Sequence, residues 1–253
     1  MEIREVQLLD YTVGQGEFTT DRLRHVKALP CLSVVESVTG RYGIRLEQGP
    51  ECFTEPRGCF VAPAHQLQTI THYLERGRMT GRWVFLNASV NERYPLDEAF
   101  SFPLIPPPEA AADIHRLLDS LANHPDPCGD KAACYRLLQL LLALGTAKAP
   151  AADPVLAALT FIQNHYRQRL AVADLAAVAH MAPSSFYPAF RRRTGKTPLE
   201  YLNDYRLSVA AVLLETTTDS IGEIAAACGM EPFYFSNRFR RRYGCAPSEY
   251  RRI

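Results

Sequence analysis

The sequence predicts an α+β chain in which an antiparallel β-barrel is followed by a helical element and then by an all-α domain. Three observations carry this expectation. Up to Leu104, short β-branched and aromatic runs are broken by Gly, Pro, Asn or charged turns. Beyond the prolines at 106–108, leucines recur at helical spacing. From residue 155 onward the chain repeats itself at a fixed offset of 49 residues. At 253 residues, 47% hydrophobic and 22% charged, it holds enough apolar material for two packed units.

The strand-like runs are CLSVVES (31–37), YGIRLE (42–47), GCFVAPA (58–64), LQTITHYL (67–74) and RWVFLNASV (82–90), and they place the barrel within 1–104. The consecutive prolines of IPPPEA (105–110) stop both sheet and helix and open a helical element, 105–145. Within 109–122, Ile114, Leu117, Leu118 and Leu121 share one helix face. Within 130–145, Leu137, Leu138, Leu141 and Leu144 do the same, and Gly145 suits a left-handed stop. Two readings stay open for these stripes: packing on their own sheet, or a dimer interface made by Leu117, Leu118, Leu121, Leu137, Leu138 and Leu141. TAKAPAADP, 146–154, reads as a linker, leaving 155–253 as the last domain.

No run approaches the ~20 apolar residues of a membrane span, and MEIREVQLLD lacks the basic-then-apolar layout of a secretory signal, so a cytoplasmic protein is expected, with no membrane partner. Seven scattered cysteines without a C-x-x-C pair suit buried or idle thiols, not a disulfide frame or a zinc site. The net charge of +1 hides an asymmetry: residues 151–253 carry +4 and residues 1–150 carry −3. The basic surplus is clustered, at Arg191–Arg193, Arg238, Arg240–Arg242, Arg251 and Arg252, which suits either a solvated helix face or a polyanion.

The repeat pairs Leu175 with Ile224, Met181 with Met230, Pro183 with Pro232, Phe186 with Phe235, Phe190 with Phe239, Arg191 with Arg240 and Gly195 with Gly244. Each copy reads as a short apolar helix, a turn, and a second helix opening at a proline in its first position. Small residues in the first helix let the two cross closely, the pattern of a helix-turn-helix. A helix over 201–217 links the copies, and Asp219 or Ser220 caps the short helix that opens the second copy. In the second copy Phe235 and Phe239, four apart, anchor the core, while Phe233, Ser236, Asn237 and Arg240 or Arg241 face outward. Short polar side chains near a helix start suit base edges, and arginines at its far end suit phosphate.

Residues 170–252, with RLSVAAVLLETT, DSIGEIAAACG, FYFSNRFRRRYG and APSEYRR, resemble the DNA-binding domain of the arabinose-operon regulator (AraC/XylS) family. The resemblance implies a bacterial transcription regulator whose two helix-turn-helix units enter successive major grooves, preceded by a cupin-like effector barrel and a helical dimerisation element. It places the first reading helix at 183–194, with Ser184, Ser185, Tyr187 and Pro188 facing the groove and Arg191 and Arg192 toward phosphate. It places the second at 232–243, with Phe233, Tyr234, Ser236 and Asn237, then Arg240 and Arg241. Two departures stand out: Pro188 removes a helix hydrogen bond and is expected to kink the first helix, and the turn in CGMEPFYF reads as one residue shorter than the family's usual turn. The first helix is therefore expected to contribute phosphate contacts and shape readout more than base contacts.

GCFVAPAHQLQTI (58–70) resembles a cupin strand-turn-strand, with Pro63 and His65 at the turn. With His72 the only nearby histidine and no H-x-H, no metal and no other cofactor is expected. Trp83 reads as core packing or as a stacking platform for a small-molecule effector, a sugar being one guess, with Arg45, Glu36, Tyr42 and His65 as candidate polar walls. The reading is thus a non-enzymatic, effector-responsive regulator acting on double-stranded DNA, a homodimer that works with RNA polymerase. Its operator is expected to hold two direct-repeat half-sites about one helical turn apart. The alternatives are a DNA-tethered cupin enzyme, which would need a metal triad or an acid and base pair, and a barrel that only dimerises.

Overall fold

The computed structural model describes residues 2–123, 126–148 and 153–251. It divides into a first unit, 1–90 with 96–149, and a second unit, 91–95 with 150–253. Of the expected linker, residues 149–152 lie outside the described residues, as does Arg252.

The first unit contains β1 (Val6–Phe18), β2 (Arg24–Lys27), β3 (Leu32–Thr39), β4 (Arg41–Leu46), β5 (Cys52–Phe53), β6 (Cys59–Ala62), β7 (Gln68–Tyr73) and β8 (Met79–Val90). After these come α1 (Leu96–Ala99), β10 (Phe100–Ser101), α2 (Pro108–Asn123), α3 (Pro127–Leu144) and β11 (Thr146–Ala147). Strands β1 to β8 form two antiparallel sheets, one in the order β1-β8-β3-β6 and the other β2-β7-β4-β5. This corrects the expectation of a closed barrel: among the described residues no ladder joins the two sheets, which are held together by side chains. Val35, Phe60, Ala62 and Met79 from one sheet meet Tyr42, Ile44 and Ile70 from the other, and such alternating inward residues are what a sandwich buries.

The longest strand, β1, carries no strong strand signal of its own. Its Gly14 and Gly16 are explained by Trp83 on β8: a Cβ on Gly14 would lie 2.5 Å from the indole. Beneath the sheet, Ile114, Leu118 and Leu121 of α2 and Leu137, Leu138 and Leu141 of α3 are all buried within their own unit, where α2 packs on β8, β1 and β6 and α3 on β1. The leucine stripes thus take the first of the two readings. Of the proposed interface leucines, only Leu117 keeps partial exposure. Gly145 ends α3 in extended geometry (φ −76°), not left-handed, because the chain passes directly into β11, which pairs with β10. Glycine is needed there because a Cβ would come within 2.9 Å of the Phe102 ring.

The second unit contains β9 (Tyr94–Pro95), α4 (Pro154–His165), α5 (Val172–Val178), α6 (Pro183–Thr194), α7 (Pro198–Thr216), α8 (Ile221–Ala227), α9 (Pro232–Tyr243) and α10 (Pro247–Tyr250). Helix α7 belongs to both halves of the repeat. Its Leu202 and Tyr205 lie in a core with α4, α5 and α6, while its Leu207, Ala210, Ala211 and Leu214 lie in a second core with α8 and α9. Ser220 caps α8 by accepting from Glu223 N at 3.2 Å, with Glu223 accepting from Ser220 N at 2.7 Å.

The two helix-turn-helix turns are equal in length, Ala179 to Ala182 and Cys228 to Glu231, so the second turn is not shortened relative to the first. Each passes through a left-handed residue, His180 (φ 52°) and Gly229 (φ 66°). Glycine is required at 229 twice over, since a Cβ there would also sit 2.2 Å from the Arg167 carbonyl oxygen. Gly229→Ala is therefore expected to destabilise the helical unit by about 2 kcal/mol or more. His180→Gly, at an exposed site, should stay within about 1 kcal/mol of wild type. Urea unfolding followed by helical circular dichroism checks both.

Candidate nucleic-acid interface

Each half of the repeat fixes its second helix by a buried aromatic pair and thereby decides which face looks out. In α9, Phe235 and Phe239 are fully buried with ring centroids 5.5 Å apart. Tyr243 (4.5 Å) and Tyr250 (5.3 Å) close on Phe239 from the C-terminal side. In α6, Phe186 and Phe190 (5.4 Å) play the same part, with Tyr201 edge-on to Phe190 at 5.6 Å. With these anchors set, helical periodicity turns Ser184, Ser185, Tyr187, Pro188, Arg191 and Arg192 outward on α6. On α9 it exposes Phe233, Tyr234, Asn237, Arg240 and Arg241. Helix α6 runs unbroken through Pro188, which is exposed on that outer face.

Not every outward group is free. Ser236 is half-buried and its hydroxyl donates to the Pro232 carbonyl at 3.0 Å. Tyr234 accepts from Asn203 of α7 at 3.4 Å, and the Arg238 guanidinium lies 5.5 Å over its ring. The start of α9 is held by Glu231, whose carboxylate accepts from Phe233 N at 3.0 Å and Tyr234 N at 2.8 Å; these bonds keep its acid well below the usual carboxylate range.

The arginine triplets divide by role. Their third members are tied inward: Arg193 to Asp153 at 3.1 Å, and Arg242 to Asp204 at 2.9 Å and Ser208 at 3.0 Å. Asp204 also takes Lys196 at 2.5 Å. Burial works against its charge, but the bond from Lys196 and the nearness of Arg242 outweigh it and hold its carboxyl below the ordinary range. Arg206, in the middle of α7, donates to the carbonyls of Tyr166 (2.7 Å) and Gln168 (2.6 Å), fixing the linking helix to the first half. Arg192, Arg240 and Arg241 enter no ion pair with a described residue, and Arg191 has only the nearby charge of Glu200. The result is two matching helices, each with short polar or aromatic groups exposed at its start and two outward arginines at its end. Reading the sequence alone missed the Lys196–Asp204–Arg242 junction; the spacing of the triplets marks equivalence between copies but not which member turns inward.

The candidate effector residues of the first unit face different surroundings. Tyr42 is buried between the sheets, edge-on to Phe60 and His72, its hydroxyl over Gly81 and its ionisation pushed well above normal by burial. Glu36, 1% exposed, pairs with Arg82 at 2.6 Å and with His115 Nδ1 of α2 at 2.8 Å, and Arg82 also holds Asp119 of α2. Trp83 is half-buried against Gly14 and stacks on Phe85; Arg45 is half-buried on β4. His65 is exposed in a left-handed turn (φ 61°). His72 meets the Leu23 carbonyl through Nδ1 at 3.1 Å, and burial lowers its pKa to about 4, so it sits neutral in the core. The same unit has a cleft of about 520 Å³ between 55–59 and 105–116, with His115 in its wall and Cys59, Ile105, Pro106, Ala111 and Ala112 among its apolar lining.

A helix-turn-helix domain model matches residues 175–253. The uncharacterised HTH-type transcriptional regulator YisR of Bacillus subtilis is 32% identical over 114 residues, 44% of this chain and 40% of that protein. The DNA-binding domain of AdpA, solved with a target DNA, is 36% identical over 40% of this chain and 91% of that one, with a TM-score of 0.38. ToxT of Vibrio cholerae is only 11% identical but covers 95% of this chain and 97% of its own, with a TM-score of 0.57, a likeness of fold. The chain spans two fifths or less of the length of the curated relatives it matches. No helix among the described residues is long and apolar enough to cross a membrane. With a duplicated helix-turn-helix on one shared helix, the C-terminal part of the chain, residues 175–253, is a helix-turn-helix domain of the AraC type.

Proposed function

We propose that the second unit binds double-stranded DNA sequence-specifically, with α6 and α9 in successive major grooves, and that this binding regulates transcription. The observation that carries it is the division of the arginine triplets: the third members hold the fold, while Arg191, Arg192, Arg240 and Arg241 remain outward at the ends of both helices. Those four suit phosphates, and Asn237 suits an adenine edge, with the serines of α6 as weaker base contacts. RNA polymerase is the partner this reading requires.

The first unit is the regulatory half in the same reading. The space between its sheets is filled by Tyr42, Phe60, Met79 and their neighbours, so a small molecule finds room in the cleft beside α2. An effector there would touch His115, and through Glu36 and Arg82 the charged contacts that hold α2 to the sheet. Homodimerisation uses the outer groove of α2 and α3, where Leu117 and Leu140 remain half-buried beside Arg116 and Arg136.

Selection of bound sequences from random duplexes should return an asymmetric motif. Asn237→Ala should relax it at a few adjacent bases, at about 1–3 kcal/mol, whereas Arg241→Ala should weaken all sequences alike and lower the salt slope by about one. Scrambling the half-site under α6 should cost less affinity than scrambling the one under α9, since α6 offers Ser184, Ser185 and Pro188 where α9 offers Phe233, Tyr234 and Asn237; equal losses would sink that asymmetry. In thermal unfolding across a metabolite panel, an effector at 100 times its dissociation constant adds ~2.7 kcal/mol, and Ala112→Trp, which fills the cleft, should abolish the gain.

A further inference from the structure

Phe233 is 76% exposed, the most exposed large apolar side chain among the described residues. It is not at a fraying end. Pro232 fixes the preceding backbone, and the Phe233 N–H donates to Glu231 Oε1 at 3.0 Å, so the ring stands on the rigid first turn of α9. The core does not use it, because Phe235 and Phe239 anchor the opposite side. Its neighbours on that turn are engaged, Tyr234 by Asn203 and Arg238 and Ser236 by the Pro232 carbonyl, while Phe233 has no ring contact with a described residue.

Four residues on, and so on the same face, stands Asn237, also exposed, ~6 Å further along the axis. In the major groove an Asn side chain pairs in a bidentate manner with adenine N6 and N7, and the only apolar group on any base edge is the C5 methyl of thymine. A phenyl ring against the other edges would strip water from N7, O6 or N4 without replacing a hydrogen bond. The equivalent position of α6 is Ser184, so the feature belongs to one reading helix.

We propose that Phe233 reads the methyl group of a thymine in the half-site under α9, within about two base pairs of an adenine held by Asn237. The assignment rests on the DNA-reading function proposed above and names what that surface selects.

The test replaces each thymine of the selected motif in turn by deoxyuridine, which keeps every hydrogen-bonding group and removes only the methyl. With wild-type protein, one such replacement near the adenine whose selection depends on Asn237 should reduce affinity about three- to fivefold, the ratio expected for burying one methyl-sized group. Phe233→Ala, at an exposed site that leaves the fold intact, should bind more weakly overall and show no deoxyuridine penalty there. A flat deoxyuridine scan on an intact motif overturns the Phe233 assignment and leaves DNA reading standing, as does a penalty that persists in Phe233→Ala. Absence of any motif at physiological salt removes the DNA-reading function itself.

Discussion

The constraint on which the second unit depends is that one helix, α7, completes two cores. Residues near its start pack with the first helix-turn-helix and residues further along pack with the second, so neither half has a full complement of apolar neighbours without it. Polar ties near the middle of α7 reinforce the sharing: Arg206 holds the loop after α4, and Asp204 gathers Lys196 from the first half and Arg242 from the second. Gly229 brings the second turn against the Arg167 backbone, a contact that admits no side chain. The exposed faces of α6 and α9 are consequences of this packing, because each is whatever the buried phenylalanine pair leaves outside.

Much of the helical unit was legible because its information is local and stated twice. Proline at the first helical position, Phe at i and i+4, and Gly after the arginines recur 49 residues apart, and each has a meaning that needs no distant partner. The capping of α8 by Ser220 and Glu223 is likewise written within four residues. What local pattern cannot state is which arginine of a triplet meets an acid from another helix. Asp153 and Asp204 decide that, from positions that show no relation to Arg193 and Arg242 until the chain is folded.

The sheet region was less legible for the same reason in reverse. Five strand runs stood out by side-chain type, but β1, the longest, holds Asp, Gln and two glycines and makes sense only once Trp83 of a strand far along the chain lies across it. Whether two sheets close into one hydrogen-bonded barrel or face each other through side chains is decided at their edges, which no run of residues reveals by itself. The leucine stripes of α2 and α3 suited either a neighbour in the chain or a second copy; the sheet took most of them. The ion cluster of Glu36, Arg82, His115 and Asp119 joins residues from three elements, and a buried carboxylate is tolerable there only because its partners arrive together.

The shared helix has a further consequence for how a promoter could address this protein. If α6 and α9 both enter DNA as proposed, two recognition helices packed on one shared spine would act as a single gauge, and the distance between the two sequence elements they touch would be set by the protein and not by the promoter. Inserting a base pair between those elements would swing one of them around the duplex, away from the helix that α7 holds in place. Regulatory evolution would then be free to vary the letters under each helix, but not the spacing between them.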